Sequence, residues 1–222
     1  GKVYVGGTFT QIDSFARIRF ARLLITGKVD QSFYYQSKLN GIVYALGYQS
    51  DGKLIVGGQF TLYNDVKINR IVRLNTDGSI DNTFNSGIGA NNTIRAISVL
   101  PDDKILITGD VTKYNMTSAK IICRLKSDGS YDSTFVIGTG LNSTGYCFAM
   151  ESSGKIYVGG NFTTYAGTGA VRMVRLNSTG GIDNTFAVGT GFNNVVTKIV
   201  LEPDGSPVAV GSFTTFAGIT VN

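Results

Sequence analysis

Apolar residues in this chain fall in short runs with a period of two, and no segment sustains a period of 3.6. Thr93-Ile94-Arg95-Ala96-Ile97-Ser98-Val99 alternates like a half-buried strand. The polar stretch Pro101-Asp102-Asp103 follows, and Lys104-Ile105-Leu106-Ile107-Thr108 reads as the return strand. Other copies of this stretch read Ser50-Asp51-Gly52-Lys53 or Asp204-Gly205-Ser206. Asp-Gly between alternating runs signals a hairpin, because Gly accepts positive φ. The pattern then predicts a loop of about ten residues and a third strand at Lys120-Ile121-Ile122-Cys123-Arg124-Leu125. A second turn at Ser127-Asp128-Gly129-Ser130 and an Asp132-x-x-Phe135 motif lead to Gly138-Thr139-Gly140, with room for a short fourth strand.

This unit recurs. Val5-Gly6-Gly7-Thr8-Phe9-Thr10 returns as Val56-Gly57-Gly58-Gln59-Phe60-Thr61, Ile107-Thr108-Gly109-Asp110-Val111-Thr112, Val158-Gly159-Gly160-Asn161-Phe162-Thr163 and Ala209-Val210-Gly211-Ser212-Phe213-Thr214, every 51 residues without insertion or deletion. Two further signatures keep that spacing. One is Arg-Leu at Arg22, Arg73, Arg124 and Arg175; the other is Asp-x-x-Phe at Asp30/Phe33, Asp81/Phe84, Asp132/Phe135 and Asp183/Phe186. Repeats of 40–50 residues holding about four strands mark β-propeller blades. A β-solenoid is the alternative, with shorter coils and no need for two hairpin turns per repeat. The expected fold is an all-β propeller-type array of 51-residue antiparallel blades, with residues 1–222 as one array of about four and a third repeats. Gly1 is in phase with Gly52 and Asn222 with Asn69, so both ends cut a repeat and the phases overlap by 18 residues; a segment of a longer propeller is expected.

The strings Asp51 to Thr61 and Arg73 to Phe84 resemble the delta-sixty β-propeller repeat, and the resemblance runs over the whole chain. It implies propeller blades of the kind found in bacterial surface and secreted proteins and in phage structural proteins, with no known catalytic residue. The first copy departs most. Gly27-Lys28-Val29 replaces Asp-Gly-Ser, and Gln36-Ser37-Lys38 replaces the Gly-x-Gly seen at Gly87, Gly138 and Gly189. In the third copy Val111 replaces the corner Phe.

Composition narrows the chemistry. The chain has no His and no Trp, 29 Gly and 3 Pro, which excludes a histidine base, a histidine metal ligand and a Ser-His-Asp triad. The net charge is +5, but the cations are dispersed rather than clustered, so no nucleic-acid groove is expected. No apolar run is long enough for a membrane-spanning helix. No signal peptide is visible, although the sequence starts at Gly1 rather than Met and leaves a preceding segment open.

Residues that recur in every repeat serve the fold, so function is expected where the repeats differ. Four acids belong to Asp-x-x-Phe and six to hairpin turns, leaving Asp13, Asp65, Asp110, Glu151 and Glu202 scattered. That is a poor basis for a glycosidase pair or a calcium loop, and no cofactor or metal is expected. The Arg-Leu arginines match the Asp-x-x-Phe carboxylates as ion-pair partners, within or between blades, with anion binding around the axis as the alternative. Arg19, Arg70 and Arg172 form a second column that Ile121 breaks. Cys123 and Cys147 occupy columns of mostly small apolar residues and read as space-filling thiols; a disulfide, if made, would be private to one blade pair. Tyr63, Tyr114 and Tyr165 read first as packing plugs and second as stacking surfaces. Five Asn-x-Thr strings, beginning at Asn91, Asn115, Asn142, Asn161 and Asn177, fit the glycosylation acceptor mostly by chance.

The most variable stretches are residues 11–16, 62–67, 113–119 and 164–170, expected on one rim. The candidate binding residues there are Asp13, Tyr63, Asp65, Lys67, Lys113, Tyr114 and Tyr165. The expected function is a non-catalytic structural or binding propeller of an extracellular particle, first a phage virion or tail component. A bacterial surface or secreted adhesin is the alternative, and a propeller glycosidase or lyase a third. Expected partners are structural proteins of the same assembly or a surface receptor or glycan, with neither nucleic acid nor membrane insertion; a homo-oligomer is one arrangement that fits.

Overall fold

The computed structural model describes residues 1–33 and 38–221. These contain no helix. The replaced Gln36-Ser37 and the terminal Asn222 lie outside the described residues.

Each complete blade is an antiparallel sheet of three strands in chain order. In the second blade these are Val43–Tyr48, Leu54–Gly58 and Ile71–Leu74. The third has Ile94–Val99, Ile105–Gly109 and Ile122–Leu125. The fourth has Gly145–Met150, Ile156–Gly160 and Met173–Leu176. Two-stranded sheets flank them: Lys2–Gly6 with Phe20–Leu24, and Val196–Leu201 with Pro207–Gly211. The expected fourth strand is reduced to single bridges, Leu74 with Ile80, Leu125 with Tyr131 and Leu176 with Ile182. The first strands of neighbouring blades lie against one another, which sets the blades around a common side as in a propeller.

The turns form where Asp-Gly stands. Gly52, Gly78, Gly129 and Gly205 take φ of 86°, 92°, 89° and 87°. The stretch expected as an irregular loop is itself a tight hairpin. Leu62–Tyr63 pairs with Val66–Lys67, and Lys113–Tyr114 with Thr117–Ser118. Both central residues have positive φ (Asn64 48° and Asp65 66°; Asn115 42° and Met116 68°), the geometry that matches strand twist. An Asn side chain fixes each hairpin from outside. Asn91 Oδ1 accepts from the amides of Thr112 (3.1 Å) and Lys113 (2.8 Å), while its Nδ2 donates to Thr112 Oγ1 (2.8 Å). Asn40, Asn142 and Asn193 repeat this clamp.

The corner glycines are steric necessities. A Cβ on Gly58 would stand 2.1 Å from the Ile42 carbonyl oxygen, and one on Gly160 2.4 Å from that of Thr144. The first strand therefore crosses the end of the second at a distance no other residue allows.

The core lies between blades rather than within them. Ile55 and Ile71 of the second blade pack with Ile94, Ile105, Ile107 and Leu125 of the third. Leu106 and Ile122 of the third pack with Ile156, Val158, Phe162 and Leu176 of the fourth. Burying each such side chain contributes about 1.5–3 kcal/mol, so a blade removed from its neighbours loses most of what orders it.

Candidate functional site

One column recurs almost unchanged. Arg73 Nε lies 2.7 Å from Asp81 Oδ2, and Nη2 donates to Thr83 Oγ1 at 3.0 Å. The guanidinium sits 4.9 Å from the centroid of the Phe84 ring. Arg124 does the same with Asp132 (2.7 Å), Thr134 (3.1 Å) and Phe135 (4.8 Å). The Arg-Leu and Asp-x-x-Phe signatures travel together because the Asp pairs with the Arg and the Phe stacks on it. The remaining Nη1 crosses to the next blade. Arg73 donates to the Ser127 carbonyl at 2.6 Å and Arg124 to that of Ser178 at 2.7 Å, while Arg22 bonds the Thr76 carbonyl. Each buried arginine thus ties its own sheet to its neighbour's turn.

The carboxylates of this column are held in the charged form. Burial pushes Asp81 up, but the Thr83 hydroxyl and amide, Lys53 and the Arg73 charge outweigh it and hold the group well below the usual carboxylate range. Asp132 is lowered by the same balance of burial against Thr134 and Arg124. Asp183 is lowered first by the Thr185 hydroxyl and then by Lys155. Each carboxylate of this column is thus taken up by its own arginine, and Lys2, Lys53 and Lys155 add a second cation at Asp30, Asp81 and Asp183.

The aromatic candidates are plugs. Tyr63, Tyr114 and Tyr165 are fully buried, and their hydroxyls donate to the carbonyls of Gly78, Gly129 and Gly180 at 2.6, 2.7 and 2.5 Å. Burial pushes the Tyr114 and Tyr165 phenols well up. Their faces are closed to a ligand, which corrects the stacking alternative. Asp13, Asp65, Lys67 and Lys113 are exposed on the hairpins, with Asp65 paired to Lys38 at 2.8 Å. The structure thus splits the candidates into an exposed polar set and a buried aromatic set. The acceptor-like asparagines are also engaged: Asn91 and Asn142 clamp hairpins, Asn115 accepts from the Ile88 amide, Asn161 accepts from Arg172, and Asn177 caps its own turn. Cys123 and Cys147 are free and buried in different inter-blade cores; burial pushes the Cys147 thiol up to about 11.

A second column lies at the opposite end of the strands, next to the hairpins. The register of each first strand skips one residue: Tyr44 between Val43 and Ala45, Arg95 between Ile94 and Ala96, Tyr146 between Gly145 and Cys147, and Thr197 between Val196 and Lys198. These are β-bulges, which release a side chain from the ladder and re-aim it. The backbone device is the same in each blade, and the residue it presents is not. Arg95 lies between two rings, 5.4 Å from the centroid of Tyr44 and 5.3 Å from that of Tyr146, so three blades contribute to one stack. Asp110 takes Arg95 Nε at 3.0 Å and Nη2 at 2.9 Å, and Thr144 of the next blade donates its hydroxyl to Asp110 Oδ1 at 2.7 Å. Burial would lower the Arg95 guanidinium, and the Asp110 carboxylate outweighs it and raises it. Asp110 stood out in the sequence as an acid outside turns and motifs. Tyr44, Arg95 and Tyr146 did not, because strict alternation hides a bulge.

No curated protein matches the chain significantly. Among solved structures, a streptogramin B lyase is similar over 75% of this chain and 47% of its own, at 16% identity and a TM-score of 0.44. The extracellular domain of a B. thetaiotaomicron protein described as a hybrid two-component system, BT4673, is similar over 92% of this chain and 30% of its own, at 15% identity and a TM-score of 0.47. The chain thus spans less than half the length of either, and neither likeness carries an activity or a ligand across. Residues 1–33, 49–84, 100–135 and 151–186 match the model of a β-propeller family described as a domain of unknown function, DUF5122, and the chain belongs to that family.

Proposed function

We propose that this propeller is a non-catalytic binding module of an extracellular particle, in the first place a phage virion or tail component, with its contact surface on the hairpin rim. The observation that carries this reading is where the repeats differ. The Arg–Asp column, the Tyr plugs and the Asn clamps repeat from blade to blade and are consumed by packing. The hairpin tips read Asp13-Ser14, Asn64-Asp65, Asn115-Met116, Ala166-Gly167 and Ala217-Gly218, and Lys67 and Lys113 stand exposed beside them. A rigid scaffold presenting variable short hairpins on one rim is an arrangement suited to recognition. The non-catalytic reading is supported by the pairing of two of the five scattered acids, Asp110 with Arg95 and Glu151 with Arg175, beyond those in turns and in the Arg column; Asp65 meets Lys38 in an exposed pair. The resemblance to the delta-sixty repeat supports the extracellular and virion placement. Partners of this rim are neighbouring structural proteins of the assembly or a receptor or glycan on the host.

The test is immunogold labelling with antibodies raised against the chain, on particles and on producing cells. Label on particles, reduced when the tips at 64–65 and 115–116 are replaced in the immunogen, supports the virion reading. Label on cells alone moves the protein to the adhesin alternative. Release of reducing sugar from a polysaccharide panel, lost on changing Asp65, Asp110 or Glu151, overturns the non-catalytic reading.

A further inference from the structure

We infer that the bulge column is a glycan subsite: Tyr44, Arg95 and Tyr146, with Asp110 and Thr144, form a shallow platform for an uncharged pyranose unit. The inference rests on the binding-module reading above and names a ligand class for the same rim. Three observations carry it. The first is position, since these are bulge residues whose side chains leave the sheet, at the strand ends from which the hairpins emerge. The second is chemistry left unused. The buried tyrosines Tyr63, Tyr114 and Tyr165 each spend their hydroxyl on a backbone carbonyl, whereas the hydroxyls of Tyr44 and Tyr146 make no hydrogen bond among the described residues, nor does Nη1 of Arg95. Tyr44 is 42% exposed and Arg95 and Asp110 are half-buried, so these groups are within reach.

The third observation is charge. Arg95 and Asp110 neutralise each other within the site, so the platform has no net charge to attract an anion. What it presents is two aromatic rings, the Nη1 donor of Arg95 and the hydroxyls of Tyr44 and Tyr146, while Asp110 and Thr144 hold Arg95 in place. A pyranose matches that set. Its C–H face is apolar and lies on a ring, and its vicinal hydroxyls both donate and accept. The fold does not require this constellation, because the fifth blade keeps the bulge and places Thr197 there.

The experiment is binding of the whole chain to an array of immobilised oligosaccharides, neutral hexose and N-acetylhexosamine chains beside sialylated and uronic ones, at low and high salt. The expected result is binding to a neutral chain that survives high salt. Tyr44→Ala and Tyr146→Ala should each weaken it by about tenfold, and Tyr44→Phe by a smaller factor. Asp110→Asn, which keeps the shape of the acid but frees the Arg95 charge, should shift preference towards the acidic chains. Circular dichroism checks that each variant keeps its strands. Binding only to acidic chains and only at low salt overturns the inference. So does neutral binding that Tyr44→Phe and Tyr146→Phe leave intact and Tyr44→Ala and Tyr146→Ala also leave intact. If changes at tips 64–65 and 115–116 abolish particle or cell attachment while no array glycan is bound, this inference fails and the binding-module reading stands.

Discussion

Arg73 and Arg124 hold one geometry in two blades: an Nε–Oδ2 separation of 2.7 Å, a ring at 4.9 or 4.8 Å, and a neighbour's carbonyl at 2.6 or 2.7 Å. At the other end of the same strands, Tyr44, Arg95, Tyr146 and Thr197 share a bulge, while the residue in it changes from Tyr to Arg to Tyr to Thr. A repeat fold must solve the same packing problem in every blade, so a position that serves the fold keeps the same kind of contact from blade to blade. A position where the backbone repeats and the side chain does not is free of that duty. The contrast separates the groups that hold this propeller together from those available to a partner, and each variant below should fall on one side of it.

The largest effect is expected at Arg124. Arg124→Ala strands the buried Asp132 carboxylate and breaks the tie to the Ser178 carbonyl, and loss of one partner of a buried pair costs about 3–5 kcal/mol. Urea unfolding should show that loss, while rim binding per folded molecule stays as in the parent. A loss below about 1 kcal/mol would place the column with exposed ion pairs and erase the contrast.

Acid probes the same column through all its blades at once. Asp30, Asp81, Asp132 and Asp183 are lowered in the folded state relative to the ordinary carboxylate. A depressed folded value means that the stabilisation is fully present above the unfolded value of about 3.9 and drains away as pH falls towards the folded one. The melting temperature should therefore decline steeply below about pH 4. Asp132→Asn should melt lower at neutral pH and show a shallower acid limb.

Removing one hydroxyl gives a smaller loss. Tyr114→Phe keeps the plug and leaves the buried Gly129 carbonyl without its donor, at a cost of about 1–2 kcal/mol. Tyr44→Ala in the bulge column removes one face of an exposed cation–π stack and should cost no more than about 1 kcal/mol. If Tyr44→Ala destabilised the chain as much as Tyr114→Phe or more, the bulge column would belong with the packing groups.

The symmetric part of this architecture was legible in the sequence. The period, the Asp-Gly turns and the Arg–Asp pairing all follow from columns that repeat, because the same contact must form between every pair of blades. The hairpins at 62–67 and 113–118 were not. Asn64-Asp65 and Asn115-Met116 adopt the left-handed turn without a glycine to signal it. The clamps at Asn91 and Asn142 were read as acceptor strings, since their partners lie 21 and 22 residues away on the hairpin. The Tyr–Arg–Tyr stack was hidden because a bulge changes which face a residue takes, and the alternation of Ile94, Arg95 and Ala96 does not show it.

The smallest effect tests whether the third blade's own departures are compensated. Asp103 stands where Gly52, Gly154 and Gly205 stand in other blades, and it adopts φ 61°. A left-handed conformation costs a non-glycine residue about 1 kcal/mol or somewhat more. Against that, Asp103 accepts from the Ser50 amide at 2.8 Å and from its hydroxyl, tying two blade turns together. These exposed bonds contribute about as much as the backbone costs. Asp103→Gly should therefore leave stability within about 0.5 kcal/mol of the parent, since relief and loss cancel. Asp103→Ala keeps the backbone cost and loses the bonds, so it should fall about 1 kcal/mol below Asp103→Gly. If Asp103→Gly raised stability by the full backbone term, the Ser50 bonds would contribute nothing and the turn-to-turn tie would have to be removed from the set of contacts that join the blades.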